Sequence, residues 1–319
     1  MRLKNICDVN ERYIERSLQD YPCEVCASYG EMLASDVDAV LLITPNSFHE
    51  AQTVGAAAAG KHVFVEKPIA NRLDEAGRMI AACRDSGVVL AVGHSARYAA
   101  RSRAMGKLIA SGALGDICGF QACASHDNAK HSDKTWKTDP KLTPCVPLMQ
   151  LGIHAIDTLH GYFGEVSAVF SHHANVSKRF DMTDTTHSLI RFKSGVVGNL
   201  SCYYMVPKSG VWNFYGTAAR AMAQGGRIEV LKEGAPRPDY VDMPENDARP
   251  GDVRMLDAFA DAVLDGTPFP TDGVAGAKAL AVVWAAIYAS ELGREVTLDE
   301  TLAHDGAEYL REGNPHTIP

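Results

Sequence analysis

Positive charge is in the minority in this chain of 319 residues: Lys and Arg total 31 against 39 Asp and Glu, a net charge of −8. A nucleic-acid binder carries a basic excess or a basic stripe. Neither is present, so no nucleic-acid partner is expected. Long apolar runs are also lacking. The longest, Ala279 to Ala289, has 11 residues, against the ~20 that a membrane-spanning helix needs, so no membrane partner is expected. The opening Met1-Arg2-Leu3-Lys4-Asn5-Ile6-Cys7 has no apolar stretch of signal-peptide length, and a cytoplasmic location follows as an expectation. The eight cysteines, at 7, 23, 26, 83, 118, 123, 145 and 202, show no disulfide framework and read as reduced, buried thiols. Cys23-Glu24-Val25-Cys26 has redox or zinc spacing, but no second pair and no nearby His completes a zinc site. His126-Asp127…His131…Asp133 fits no metal-ligand spacing and sits in a polar loop. No metal is expected.

The absence with the largest consequence is Gly-x-Gly-x-x-Gly. A dinucleotide-binding domain opens as strand, glycine loop and helix, with an acidic residue ~20 positions after the glycines that bonds the ribose hydroxyls. Asp8 stands where that acid belongs, with only seven residues before it, and the glycine pattern occurs nowhere in the chain. In strand order 3-2-1-4-5-6 the absent strand is the central one. The strands at Leu3 and at Ala39 would then each lose a neighbour and leave apolar edges. The expectation is that the true start lies upstream.

What is present is an ordinary globular composition, 46% apolar and 22% charged, and a length that suits two domains of ~150 residues each. Residues 1–95 alternate strands with helices. Leu3–Val9, Ala39–Ile43, His62–Val65 and Val88–Val92 read as strands, and Glu11–Asp20 and Leu73–Ser86 as helices. Ala39-Val40-Leu41-Leu42-Ile43 is continuously apolar, as expected of a strand buried on both faces. Ser47 and Glu50 fit a capping box that opens an Ala-rich helix ending at Gly60. Such alternation means a parallel sheet.

After residue 113 the pattern changes. Ile117–Ser125, Ser167–Val176, Thr186–Phe192 and Val196–Met205 read as strands, the last two joined by the turn Lys193-Ser194-Gly195. A polar stretch with prolines at 236, 238, 244 and 250 reads as a loop. Two helices follow, one with Met255, Phe259, Ala262 and Val263 on one face and ended by Gly266, the other over Gly273–Leu292. The fold class is α/β: a truncated Rossmann-type parallel sheet over 1–96, then an α+β domain over 97–319 with a large, mainly antiparallel sheet.

Two segments carry chemistry. In Ala59-Gly60-Lys61-His62-Val63-Phe64-Val65-Glu66-Lys67-Pro68, a lysine stands at the end of a buried parallel strand, where ligands bind in such sheets. Pro68 fixes the local backbone and can take a cis bond. In Gln150-Leu151-Gly152-Ile153-His154-Ala155-Ile156-Asp157, His154 and Asp157 are three apart and share a helix face. A neutral imidazole suits a general base; a core histidine held by Asp157 is the other reading.

Taken in order, these motifs resemble the glucose–fructose oxidoreductase, inositol dehydrogenase and MocA (Gfo/Idh/MocA) family. The resemblance runs from Ile6-Cys7-Asp8-Val9-Asn10 to Glu295-Val296-Thr297-Leu298 and takes in Thr44-Pro45-Asn46…His49, Glu66-Lys67-Pro68, Arg97-Tyr98, Gly112–Ile117, Gly152…His154…Asp157 and Phe214-Tyr215-Gly216-Thr217. It implies a hydride transfer between NAD and a secondary alcohol of a sugar, polyol or related cyclic compound. Lys67 would lie beside nicotinamide and substrate hydroxyl, and His154 would take the hydroxyl proton. The family usually has an Asp four residues before that His; Gln150 stands there, able to bond a hydroxyl but not to carry charge. Arg97, Gln150 and Asp157 would bind substrate, with Trp136 offering an apolar face to a sugar ring. Asp8, Thr44, Pro45, Asn46, His49, Glu66 and Lys67 would bind the cofactor, and Asp8 favours NAD over NADP by repelling a 2′-phosphate. Asp8 could also serve as a helix N-cap. A homo-oligomer, dimer or tetramer, is implied through the open face of the second sheet. The alternatives are a non-catalytic sensor of a metabolite or partner, and an NAD-assisted glycosidase.

Overall fold

The computed structural model describes residues 1–127, 136–139, 142–224, 226–241 and 250–311. The amino-terminal part carries two parallel sheets. One is β1 (Asn5–Ile6) beside β2 (Glu24–Val25); the other has the order β3 (Ala39–Leu42), β4 (His62–Val65), β5 (Leu90–Val92). Helices α1 (Glu11–Asp20), α2 (Tyr29–Ala34), α3 (His49–Ala58) and α4 (Leu73–Asp85) connect them. β1 is shorter than the expected Leu3–Val9. Among the described residues, β1 pairs only with β2 and β3 only with β4, so each has an edge without a strand neighbour. The expectation of β3 buried on both faces is corrected accordingly: as an edge strand it leaves Leu41 43% exposed, and Ile43 just beyond it 73%.

The Ser47–Glu50 capping box does not form. Asn46–Phe48 makes one 3₁₀ turn, α3 starts at His49 without a side-chain cap, and Glu50 pairs with Arg78 on α4 instead. At α1 the cap is Asn10, whose side chain accepts from the Arg12 N–H. Asp8 is two residues outside and accepts from the Asn10 N–H at 2.8 Å.

The short helices α5 (Ser95–Tyr98) and α6 (Ala100–Ala110) lead to a nine-stranded sheet. Its strands are β6 (Ile117–Asp127), β7 (Val166–Ala174), β8 (Thr185–Phe192), β9 (Val197–Tyr203), β10 (Met205–Gly216), β11 (Ala219–Gln224), β12 (Arg227–Lys232), β13 (Asp239–Val241) and β14 (Val296–Thr297). The order is β13-β12-β11-β10-β6-β9-β8-β7-β14, antiparallel throughout except for β6 beside β9. β13 falls within the proline-containing stretch read from sequence as a loop. One face of the sheet is covered by α7 (Ile153–Phe163) and α9 (Gly273–Leu292); α8 (Gly251–Asp265) and α10 (Leu298–His304) complete the helices. α9 is long and apolar enough to cross a membrane, but 72% of its most apolar window is buried inside the fold, as in a core helix.

The carboxy-terminal helices also return to the first sheet. Met255, Phe259 and Ala262 of α8, with Phe269, pack on Phe64 of β4 and Ala91 of β5. Thr271 is stitched to β5 twice: its carbonyl accepts from the Val92 N–H at 2.8 Å and its hydroxyl donates to the Val92 carbonyl at 3.0 Å.

Candidate active site

Lys67 is the second residue beyond the end of β4, where the backbone turns out of the sheet; its peptide bond to Pro68 is cis. The Nζ donates to the Gln150 carbonyl at 2.7 Å. Gln150 lies in the π-helical turn Pro147–Gly152, at whose end the Ile153 N–H reaches back to the Leu148 carbonyl. α7 then begins, with His154 in its first turn. The Lys67–Gln150 bond thus joins the end of a parallel strand to the base of the helix that carries the imidazole.

Electrostatics separates the two groups. Burial, against the opposing pull of Glu66 and with help from Lys137, brings the Lys67 ammonium down to about 8. His154 is driven well below its ordinary value by burial and by the neighbouring Lys67 and His94. At neutral pH the site therefore presents an ammonium beside an uncharged imidazole. Burial pushes the Glu66 carboxyl up, and the Lys67 N–H bonds it at 3.2 Å.

Several buried polar atoms here lack a hydrogen-bond partner among the described residues: Gln150 Nε2, His154 Nδ1 and both ring nitrogens of His94. His94 follows the Gly93 that closes β5 and meets His154 edge-on, with ring centroids 6.0 Å apart. Burial lowers its pKa to about 3. Sequence reasoning missed His94, although its place just beyond a parallel strand is the signal that singled out Lys67. It also missed Lys137, which has no pattern to mark it. Lys137 lies in the 3₁₀ turn Trp136–Thr138, its ammonium 5.4 Å from the Trp136 ring centre. Its charge acts on both Glu66 and Lys67, so the turn holding Trp136 lies within electrostatic reach of the end of β4.

The Thr44–His49 loop at the end of β3 is braced from inside. His49 is completely buried, with Nδ1 3.0 Å from the Pro68 carbonyl and Nε2 3.0 Å from that of Thr44. Asn46 donates to Asn71 at 3.1 Å, and the Thr44 hydroxyl donates to Gln52 at 2.6 Å. His49 and Asn46 thus fix the loop to the segment after Lys67; Pro45 is partly exposed beside them.

Asp157 requires a correction. Its side chain is 0% exposed and does not hold His154. Arg97 Nε and Nη2 donate to its two oxygens at 2.9 and 2.8 Å, Nη2 also to its carbonyl at 2.6 Å, while Nη1 donates to the Pro270 carbonyl at 2.9 Å. Helix geometry allowed the His154 pairing, but the bidentate guanidinium is the stronger partner. The pair ties α5 to α7. His126 and Asp127 end β6, whereas His131 and Asp133 lie outside the described residues. All eight cysteines are free thiols.

The donor set fits the nicotinamide and ribose ends of a dinucleotide. An ammonium, an amide and uncharged imidazoles with open valences meet at the carboxyl end of a parallel sheet, and Asp8 is exposed beyond β1. The pyrophosphate cradle of such folds is a glycine loop, which these 319 residues do not contain.

Comparison with known proteins agrees with this geometry. Residues 1–94 match the family described as "Oxidoreductase family, NAD-binding Rossmann fold", and residues 102–222 the "GFO/IDH/MocA C-terminal domain". The 1,5-anhydro-D-fructose reductase of Ensifer adhaerens is 34% identical over 51% of this chain and 49% of its own length; the match thus spans about half of that curated relative. A putative NADPH-dependent oxidoreductase from Desulfitobacterium hafniense superposes with a TM-score of 0.88 at 26% identity, covering 95% of this chain and 92% of its own. The WlbA dehydrogenase of Bordetella pertussis, solved with NADH and UDP-GlcNAcA, gives 0.82 at 25% identity over 93% and 90%. With both domains matched in order and the fold shared over nearly its whole length, the chain belongs to the Gfo/Idh/MocA oxidoreductase family.

Proposed function

We propose that this protein is an NAD-dependent dehydrogenase acting on a secondary alcohol of a sugar, polyol or related cyclic compound. The observation that carries the reading is the linked pair at the end of β4: the Lys67 ammonium held by the Gln150 carbonyl, at the foot of the helix that presents neutral His154. When bound, NAD supplies the hydride acceptor. The chain does the rest. His154 takes the hydroxyl proton, for which an uncharged ring is required. Lys67 stays charged and stabilises the developing alkoxide. The Gln150 carbonyl aims Lys67, and its unpartnered Nε2 donates to a second substrate oxygen. Trp136 supplies an apolar face at the mouth of the site. Asp8 accepts from the ribose hydroxyls and disfavours a 2′-phosphate. We also infer a homo-oligomer. Phe170 and Leu189, 44% and 49% exposed, stand opposite each other on β7 and β8, and the same row continues into Asn199 on β9 and Gln121 on β6. It is an open, partly apolar sheet face that suits a second copy.

The test begins with a fluorescence titration of the chain with NADH and NADPH, in which NADH binds more tightly. Turnover on a panel of polyols and sugars follows, for wild type and Lys67→Ala. The variant, folded by circular dichroism, loses about 10²-fold or more in kcat. Undiminished turnover would take Lys67 out of the chemistry, and NADH binding with no turnover on any compound of the panel would favour a sensor.

A further inference from the structure

Cys23-Glu24-Val25-Cys26 has the spacing of a redox pair, but the fold keeps these two thiols apart. Strand β2 lies between them, and three steps of extended chain set their Cα atoms ~10 Å from each other. A disulfide spans ~7 Å at most. Three is also an odd offset, so the two side chains leave opposite faces of the strand. Cys26 has another neighbour. β1 and β2 run parallel, with Ile6 paired to Val25. The Cys26 N–H donates to the Ile6 carbonyl at 2.8 Å, which carries the ladder one step further and sets Cys7 beside Cys26. Neighbouring strands lie ~4.8 Å apart, inside the Cα separation of ~4.4–6.8 Å that a disulfide bridges. The faces agree as well. Cys7 shares a face of β1 with Asn5, and the Asn5 side-chain amide donates to Cys26 Sγ at 3.5 Å. Burial raises the Cys7 pKa, and the nearby Cys26, Asp8 and Glu31 raise it too. Cys7 is half-buried, whereas Cys26 is 7% exposed.

We propose that Cys7 and Cys26 form a dithiol modification site, closed to a disulfide by small disulfides of the glutathione class. The more accessible Cys7 thiolate attacks one sulfur of the oxidant and releases one thiolate. The Cys26 thiolate then attacks the Cys7 sulfur and releases the second. Two protein thiols are oxidised as one small disulfide is reduced to two thiols. The bridge staples a lightly held unit. β1 and β2 pair over two residues each, and α1 between them has no buried residue. Local opening of β1–α1–β2 therefore costs little, and closing the chain around α1 raises that cost by restricting the opened state.

The test equilibrates the full chain with glutathione disulfide, blocks the remaining thiols, and maps the denatured chain with trypsin without reduction. It needs no cofactor, so its result is separate from the dehydrogenase reading. The expected product is peptide Asn5–Arg12 joined to peptide Ser17–Lys61. The link is kept in Cys23→Ser and lost in Cys26→Ser, where glutathione stays on Cys7 as a mixed disulfide. Cys7→Ser, at the half-buried position, also loses the link and spares the packing around Cys26. In a brief digestion of the native protein, the bridge slows cleavage after Arg12 and Arg16 of α1 by about tenfold or more relative to the reduced chain. The proposal is overturned by a Cys23–Cys26 bridge, by a mixed disulfide that persists on Cys7 in the wild type, by both thiols remaining open to the blocking reagent, or by cleavage in α1 at the same rate in oxidised and reduced chains.

Discussion

Lys67 is held between opposing neighbours, and its protonation sets the working pH range. Its pKa lies at about 8, lowered by burial and Lys137 and raised by Glu66. Turnover needs the ammonium, so kcat/KM declines as pH rises through about 8. Lys137→Met removes a cation that destabilises the protonated form, so Lys67 keeps its proton to higher pH. The alkaline limb of a kcat/KM profile then moves up by about half a pH unit; an unmoved limb would take Lys137 out of the site. Lys67 and His154 were legible in the sequence because each depends on local rules: the end of an apolar strand, the start of a helix. Asp157 was legible only as a helix-face neighbour of His154. Its true partner, Arg97, is 60 residues away, and pairing at that range depends on how α5 and α7 are set against each other. Lys137 illustrates the same limit.

At the scale of elements, the π turn before α7 has a requirement at Gly152. A Cβ there would stand 2.8 Å from both Cys202 Sγ and Leu148 Cδ2, between the turn and strand β9. Gly152→Ala therefore pushes the start of α7 off the sheet. The expected outcome is a loss of about 1–3 kcal/mol in thermal or denaturant unfolding, with a fall in kcat as His154 shifts; unchanged stability and kcat together would show that the turn absorbs the methyl. Helices α8 and α9 were readable nearly to their ends, because long apolar periodicity and the terminal glycines Gly266 and Gly293, both left-handed, agree. Strands β10 to β13 were not. β10 is mostly half-buried or exposed and holds Lys208, Ser209 and Gly210 in its middle. β11 alternates in and out, but with alanine as its main inward residue, a weak strand former. Neither offers the alternating bulky residues that mark a strand. The capping box failed for a similar reason: Glu50 had a better partner in Arg78 on another helix.

For the whole molecule, the proposed self-association is tested on the open face of the nine-stranded sheet. Phe170→Asp with Leu189→Asp places like charges opposite one another across β7 and β8, on the face assigned to self-association. Sedimentation should show the wild type as a dimer or tetramer and the double variant as a monomer; variant and wild type sedimenting alike would move the interface elsewhere. The large antiparallel sheet was legible as a class, but its order, with β6 between β9 and β10, was not, because sequence neighbours are separated by other strands.

The stitch between Thr271 and Val92, together with the aromatic packing of Phe259 and Phe269 on Phe64, bears on how the protein is made. During synthesis, β4 and β5 leave the ribosome well over 150 residues before the side chains that cover them. At ~5–20 residues per second, their apolar face stays bare for roughly ten seconds or more. The nascent first domain is thus a natural client for a chaperone that shields hydrophobic surface until the last helices arrive.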